Sequence, residues 1–238
     1  MEVKVYMPHP LLQEYILNIA TINVQLPPGI KEVVTPYPPT PFQSILFYCN
    51  NPVFMSRNTT DNFEKQPLTV LTGPQFTRVN IKGVEQLKAI RVDFVPGGMH
   101  RLLGISMNEL FDIGFDAVDF FGKEMKSLNE QLQNEVNLEE GKNLVEQFLI
   151  KKINSLKTIL PIDYALQFML KNHNDMSIKD TASLSCLSLK QFERKCKERL
   201  GMNPKMFARI LRFSKAYRMH EANPQLNWTK ITYEAGYY

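Results

Sequence analysis

The residues with the most informative chemistry are the basic side chains between Lys190 and Arg218. This stretch carries ten Lys or Arg residues against two acids, Glu193 and Glu198. Cationic groups on one helical face pair with DNA phosphates, while Arg and Gln side chains can form paired hydrogen bonds with guanine and adenine. The composition therefore predicts a surface that holds the DNA backbone and reads base edges.

Candidate DNA-binding residues divide into base readers and phosphate binders. Arg194 is expected to contact guanine and Gln191 adenine, whereas Glu193 could accept from a cytosine amino group or orient Arg194. Ser188 is expected to cap the helix that carries them. The predicted phosphate contacts and neighbouring exposed cations are Lys190, Lys195, Lys197, Arg199, Lys205, Arg209 and Arg212. The alternatives are a solvated cationic face on an ordinary helical bundle and a membrane-surface helix.

The charge and the prolines are unevenly placed along the chain. The net charge is +4, yet residues 1–161 hold 15 basic and 17 acidic groups, and residues 162–238 hold 13 and 7. Eleven of the fifteen prolines lie in residues 1–74. We therefore predict two domains, 1–157 and 158–238, joined by a linker at 155–161. No apolar run is long enough for a membrane span, and the three cysteines are expected to be reduced.

The second domain is predicted to be entirely helical. Its helices cover 162–172, a segment capped by Ser177, a segment capped by Ser188 with Gln191 completing a capping box, and Pro204 to about Ala222. Gly201 is expected to end the third of these helices, and Trp228 to open a last short one. The apolar stripe of the third helix is predicted to consist of Leu189, Phe192, Cys196 and Leu200. Two short helices joined by a tight turn, the second of them basic, are typical of a helix-turn-helix.

The first domain is predicted to be mainly β. Residues 11–22 have helical spacing and are expected to form a leading helix, after which short β-rich segments run from 23 to 95. No helical pattern interrupts them, so an antiparallel barrel or sandwich is favoured over a parallel sheet. Helices are expected at about 99–104, 123–134 and 137–154, the last capped by Asn137.

The second domain resembles the AraC/XylS family of bacterial transcription regulators. Ala182, Leu187-Ser188, Phe192-Glu193-Arg194 and Leu200 to Pro204 look like that family's first helix-turn-helix. Trp228, Ile231 and Glu234 to Tyr238 resemble the start of its second. The resemblance is ungapped from Ser177 to Tyr238 and implies sequence-specific binding in the major groove.

The chain departs from the family pattern at three places. Cys186 stands where a turn glycine is usual, which predicts strain if its φ is positive. Cys196 replaces an aromatic core residue and is expected to pack as a small hydrophobic group. The family's second recognition helix would begin after Tyr238, so the resemblance predicts a chain truncated within its second helix-turn-helix, with weak DNA binding.

The first domain resembles, more loosely, the cupin-like β-barrels with a helical tail found on one branch of the same family. The resemblance lies in residues 68–75 and 90–121. A barrel of this kind could hold a small apolar effector, although a filled core without ligand remains the alternative. The candidate lining residues are Tyr37, Phe42, Phe47, Tyr48, Phe54, Phe76 and Phe94.

No catalytic or metal-binding pattern stands out in the first domain. His9 and His100 are far apart, and Asp112, Asp116 and Asp119 alternate with phenylalanines as in an amphipathic surface segment. We therefore expect no cofactor, no metal and no enzymatic activity.

The sequence predicts an α+β protein with an N-terminal cupin-like antiparallel β-barrel and a C-terminal all-α helix-turn-helix domain. Its expected function is that of a cytoplasmic DNA-binding transcription regulator controlled by its first domain. DNA is the expected partner, a small-molecule effector and a second copy of the chain are further candidates, and no membrane partner is expected. The alternatives are a truncated regulator that acts only as a ligand-binding or protein-interaction module, and a cupin-like small-molecule enzyme.

Overall fold

The structure is a computed structural model, in which two antiparallel β-sheets are followed by a series of α-helices. The predicted linker at 155–161 includes residues 156 and 157, which lie outside the described residues. The described residues are 1–57, 62–84, 86–135, 137–155, 158–172 and 177–237.

The strands occupy most of the first half of the chain, where β-branched and aromatic residues are frequent. They are β1 (Glu2–Tyr6), β2 (Ile16–Gln25), β3 (Glu32–Tyr37), β4 (Gln43–Tyr48), β5 (Phe54–Arg57), β6 (Glu64–Lys65), β7 (Thr69–Thr72), β8 (Val79–Val84), β9 (Gln86–Phe94) and β10 (Gly114–Asp116).

Within the described residues the strands pair as two sheets, and every pairing is antiparallel. The large sheet has the order β1-β2-β9-β4-β7-β10, and the small sheet has the order β3-β8-β5-β6. Neither sheet closes on itself, because β1 and β10 are the edges of one and β3 and β6 the edges of the other. The predicted α+β class with antiparallel sheets is therefore confirmed, whereas the closed barrel is replaced by two open sheets.

The leading helix predicted at residues 11–22 is wrong. A single 3₁₀ turn at Pro10–Leu12 is followed directly by β2, which pairs with β9 from Ile16 to Gln25. The apolar residues at helical spacing are also compatible with a strand that is covered on both faces. The β-branched residues of β2 favour the extended form once β1 and β9 supply backbone partners.

The helices follow the predicted boundaries closely. They are α1 (Gly98–Leu103), α2 (Ala117–Phe121), α3 (Lys123–Asn134), α4 (Leu138–Ile150), α5 (Pro161–Asn172), α6 (Ile178–Leu184), α7 (Leu189–Leu200), α8 (Pro204–Ala222) and α9 (Trp228–Glu234). Further 3₁₀ turns lie at Met107–Glu109 and Lys151–Ser155. Asn137 caps α4, Ser177 caps α6 and Asn203 caps α8, as predicted.

The large sheet is covered on both faces, and residue parity decides which face a side chain meets. Ile45 and Phe47 of β4 point to the side covered by α3 and α4, as do Ile90, Val92 and Phe94 of β9. Leu46, Tyr48 and Ala89 point to the opposite side, which faces the small sheet. Alternate residues of one strand therefore belong to two different apolar clusters.

The C-terminal helices have their own apolar core, which continues onto the first half of the chain. The core is formed by α5 to α8 and includes Phe192, Cys196 and Phe207, all fully buried. Phe111 from the first half packs against it. A Cβ atom on Gly201 would press against the carbonyl oxygen of Met107, so the end of α7 and the 3₁₀ turn are in backbone contact.

Candidate nucleic-acid interface and internal cavity

The start and end of α7 are fixed by local sequence. The Ser188 side chain accepts a hydrogen bond from the Gln191 amide at 3.3 Å, and Gln191 Oε1 accepts from the Ser188 amide at 3.0 Å. This reciprocal pair confirms the predicted capping box. Gly201 ends the helix with φ 78°, the left-handed conformation that glycine adopts at low cost. The helix is therefore short and well defined at both ends.

One face of α7 is buried and the opposite face is free. Phe192, Cys196 and Leu200 are each fully buried, as predicted, and the pKa of the Cys196 thiol is raised by that burial. The side chains of Lys190, Gln191, Arg194 and Lys197 are exposed. These four of the residues predicted to meet DNA therefore lie on an exposed polar and cationic surface.

Two predictions for α7 are corrected by the structure. Leu189 is 48% exposed and does not join the buried stripe, because it stands in the first turn, beyond the reach of the core. Arg199, predicted as a phosphate contact, is 3% exposed. Its Nε donates to Asp163 Oδ1 of α5 at 2.6 Å, and Asp163 is fully buried. Arg199 is therefore a structural residue.

The flank of α7 that faces α1 carries a chain of charged contacts. Lys195 Nζ donates to Glu198 Oε2 at 2.8 Å, and this hydrogen bond is the main cause of the lowered pKa of Glu198. Glu198 Oε1 lies 3.5 Å from Nε2 of the buried His100 on α1. Glu193 is half-buried on the same helix. Lys195 is thus already paired within the protein, unlike the exposed cations of α7.

The three predicted phosphate contacts on α8 differ in exposure. Lys205 and Arg209 are exposed, and the Arg209 guanidinium lies 5.9 Å from the ring centroid of Phe76. Arg212 is half-buried and lies 5.7 Å from the ring centroid of Tyr237. Lys205 and Arg209 therefore extend the cationic surface beyond the turn that follows α7.

The turn before α7 contains the strained residue that the sequence predicted. Cys186 is exposed and has φ 55°, a conformation that costs a side chain with a Cβ roughly 1–2 kcal/mol. The backbone amide of Leu187 nevertheless donates to the Ala182 carbonyl at 3.1 Å, which closes the turn. The neighbouring hydrogen bonds therefore hold Cys186 in the geometry that a glycine would adopt freely.

A cavity of about 160 Å³ lies between the two sheets. Its walls are mainly apolar and come from both sheets, with Leu46 and Val70 on one side and Met55 and Ile81 on the other. The one charged residue among its described lining residues is Arg91. The cavity is thus an apolar chamber with a single ionised side chain in its wall.

The predicted lining residues separate into two groups. Tyr37 and Tyr48 line the cavity. The others lie elsewhere: Phe47 and Phe94 are buried on the helix-covered face of the large sheet, and Phe76 is 40% exposed beneath Arg209. Phe42 is half-buried outside the lining, and Phe54 lies 5.7 Å from Lys82 Nζ. Phe47 and Phe94 cannot line the cavity, because alternate residues of a strand point to opposite faces and these two point to the face covered by helices.

The polar end of the cavity is Arg91, which the sequence interpretation missed, held from behind by Asp93. Arg91 Nη2 lies 3.1 Å from Asp93 Oδ2, and Ser44 Oγ donates to Asp93 Oδ1 at 2.7 Å. Burial raises the pKa of Tyr37, while the charge of Arg91 acts in the opposite direction. Two opposite charges at i and i+2 in the otherwise apolar strand IRVDFV are the signal that could have revealed this pair.

A buried hydrogen bond links β4 to the end of α7. Gln43 is 1% exposed, and its Nε2 donates to the carbonyl oxygen of Arg199 at 2.5 Å. The next residue along the strand is Ser44, which points to the opposite face and binds Asp93 beside the cavity. Adjacent residues of one strand therefore contact the cavity wall and the predicted recognition helix.

The described part of the chain contains neither a metal-binding cluster nor a helix that could span a membrane. No cluster of three or more His, Cys, Asp or Glu side chains there is arranged to hold a metal ion. His100 is buried, with Nδ1 2.8 Å from the carbonyl oxygen of Ile105. None of the described helices combines the length and apolar character that crossing a membrane requires.

Comparison with known proteins gives one family match. Residues 4–116, which run from β1 to β10, match the family model described as "Domain of unknown function (DUF6597)". No curated protein matches the sequence. The matched segment contains the two sheets and the cavity, and it ends before the helices that carry the cationic surface.

Several solved structures are similar in outline. Unsaturated fatty acid-bound ToxT from Vibrio cholerae strain SCE256 matches at 13% identity and a TM-score of 0.44, over 94% of this chain and 87% of that one. The P21 form of ToxT from Vibrio cholerae matches at 10% and 0.44, over 92% and 88%. CuxR, an AraC-like transcriptional activator, matches at 10% and 0.33, over 93% and 86%.

Proposed function

We propose that this protein is a DNA-binding transcription regulator that inserts α7 into the major groove. The observation that carries the proposal is the free cationic face of α7 on a helix whose opposite face is fully buried. A short capped helix presented in this way can dock in the major groove while Lys and Arg side chains hold the phosphates. The motif resemblance to the AraC/XylS regulators supports the same function independently of the charge.

Roles on the interface follow from exposure and side-chain chemistry. Arg194 and Gln191 are assigned to base edges, because both are exposed and can form paired hydrogen bonds with a purine. Ser188 is assigned to helix capping close to the DNA backbone. The phosphate contacts are assigned to the exposed cations on both sides of the turn, namely Lys190, Lys197, Lys205 and Arg209. Lys195 is a secondary candidate because it is paired with Glu198, and Arg212 because its side chain is half-buried.

The first half of the chain is assigned to control of this interface. A small-molecule effector in the cavity would meet Ser44 and Arg91, both of which contact Asp93 behind the wall. Displacement of β4 by that ligand would reach α7 through the hydrogen bond from Gln43 to the Arg199 carbonyl. Residues 1–157 would thus act as a sensor domain and residues 158–238 as the DNA-binding domain.

DNA selection with the purified 238-residue chain tests the central proposal. Enrichment of one sequence from randomised duplexes, followed by gel shifts at several salt concentrations, gives specific and non-specific affinities. With one reading helix in the described part of the chain, we expect weak binding with a modest preference for one sequence and a salt dependence from phosphate contacts. Binding to all duplexes with equal affinity would favour a protein-interaction or ligand-binding module instead.

Replacing Arg194 by alanine is expected to weaken binding to the selected sequence by about 1–3 kcal/mol, because a base contact is lost. Affinity for random DNA should change far less. The matched control is Lys197→Ala, which should weaken both affinities similarly and lower the salt slope by about one unit. Equal losses on both DNAs for Arg194→Ala would remove it from base reading.

Replacing Gln43 by alanine is expected to uncouple the cavity from the DNA-binding surface. The variant removes the hydrogen bond to the Arg199 carbonyl but leaves the cavity lining intact, so ligand affinity should be retained. The coupling is measured as the ratio of DNA affinities with and without ligand. In Gln43→Ala this ratio should fall towards one. Gln131→Ala, on the exposed face of α3, is the control and should keep the full ratio. A wild-type ratio in Gln43→Ala would contradict this route.

A further inference from the structure

The charges around the cavity are already balanced without a ligand. Arg91 is the one charged residue in the described lining, and Asp93 lies behind it at 3.1 Å with a side chain only 5% exposed. Asp93 also accepts the hydroxyl of Ser44. The guanidinium charge is therefore neutralised by a carboxylate that is held in place within the protein.

We propose that this cavity binds an uncharged, mostly apolar molecule of one or two rings, with a single hydrogen-bonding group placed at the Arg91 and Tyr37 end. The inference rests on the proposed function only in treating the cavity as an effector site. It adds the chemical class of the effector, which the fold does not by itself assign.

Charged ligands of either sign are disfavoured by the Arg91–Asp93 pair. An anion entering the cavity would place a second negative charge on one guanidinium, close to the buried Asp93 carboxylate. A cation would meet Arg91 in an apolar surrounding with no acid in the described lining. In either case a charge loses its hydration without a free partner of opposite sign, which is costly in a low-dielectric site.

The size and the polarity of the cavity define the remaining features of the ligand. An apolar protein cavity of roughly 150 Å³ holds a benzene molecule, so about 160 Å³ suits a compact ring system. Leu46, Val70 and Ile81 offer only apolar contact. The Tyr37 hydroxyl is protonated at neutral pH like any tyrosine, and burial raises its pKa further, so it can donate to or accept from the one polar group.

The decisive experiment uses probes of the same shape and different charge. Benzamide, benzoate and benzamidinium are matched in size, and the corresponding naphthalene derivatives extend the series to two rings. Binding to the full-length chain is measured by calorimetry near neutral pH, without DNA. We expect at least one neutral probe to bind about tenfold or more tightly than its charged counterparts. Equal or tighter binding of either charged probe, or no binding of both neutral probes, would overturn the proposal.

A variant tests whether Asp93 is the cause of this selectivity. Asp93→Asn preserves the shape and leaves the Arg91 charge unbalanced, so benzoate should gain at least about tenfold relative to benzamide. Glu130→Gln removes one negative charge from the exposed face of α3 and should leave the ratio unchanged. If Asp93→Asn folds and its benzoate-to-benzamide affinity ratio equals that of the wild type, Asp93 is not the cause of the selectivity. If the variant does not fold, the wild-type probe series tests the proposal. Because no DNA is present, failure here is distinct from failure of the DNA-binding proposal.

Discussion

Replacing Asp163 by alanine is expected to lower the free energy of unfolding by about 3–5 kcal/mol. The substitution leaves the Arg199 guanidinium buried without its carboxylate partner, and Arg199 Nη1 has no hydrogen-bond partner among the described residues. It also removes the acceptor of the Leu160 amide, which donates to Asp163 Oδ2 at 2.8 Å. Chemical denaturation followed by circular dichroism measures the loss.

Two further variants separate the buried pair from salt bridges in general. The double variant Asp163→Leu with Arg199→Met replaces both charges by apolar groups and should recover most of the lost stability. Lys230→Ala breaks the exposed pair with Glu234 and should change stability by less than about 1 kcal/mol. A small loss in Asp163→Ala would mean that Arg199 reaches solvent when its partner is removed.

The second large effect is expected from Gly201→Ala, which should cost about 2–4 kcal/mol of stability. Alanine is strained at φ 78°, and its Cβ would press against the carbonyl oxygen of Met107 and lie 3.1 Å from the Cβ of Phe111. The end of α7 would therefore be pushed from the 3₁₀ turn at Met107–Glu109. Hydrogen exchange across that turn should accelerate together with the fall in stability.

Gly104→Ala is the matched control for this prediction. Gly104 also ends a helix with a left-handed φ, 74°, but a Cβ there meets nothing within 4 Å. It should cost only the backbone strain, about 1–2 kcal/mol, without faster exchange at the 3₁₀ turn. Equal effects of the two alanines would show that the contact between α7 and the first half contributes little.

The docked position of α7 bears directly on regulation. Its buried face and its C-terminal end are occupied by α5, α1 and β4, through Arg199, Glu198 and Gln43 contacts. Its exposed side chains remain clear of the first half of the chain. Under the proposed function this arrangement leaves α7 open to DNA, and an effector would act by altering the position of α7 rather than by uncovering it.

Local features of the helices could be predicted because their causes lie within a few residues. Ser188 and Gln191 form their capping box across a single turn, and Asn203 with Pro204 starts α8 in the same way. Cys186 adopts the positive φ that the turn requires. In each case the partner atom is close in sequence, so the pattern specifies the geometry without tertiary information.

The sequence could not predict which face of a strand meets which partner. Alternation in IRVDFV correctly indicated a strand, but the apolar residues of that strand face the helices, while Arg91 lines the cavity and Asp93 lies behind it on the same face. For the same reason Phe47 and Phe94 belong to the helix-covered core and not to the cavity wall. Residues 16–22 likewise became strand because β1 and β9 pair with them.

By itself the sequence determined that a mainly β first half precedes a helical second half, and it determined the caps and turns of α6 to α8 and the cationic face with Arg194 and Gln191. These depend on composition, periodicity and short-range hydrogen bonds. Only the tertiary structure decided that Arg199 is buried on Asp163, that Arg91 is neutralised by Asp93, and that Gln43 reaches the end of α7. Arg199 with Asp163, and Gln43 with the Arg199 carbonyl, are far apart in sequence and are brought together by helix and sheet docking. Arg91 and Asp93 are close in sequence, but only sheet packing decides that they lie beside the cavity.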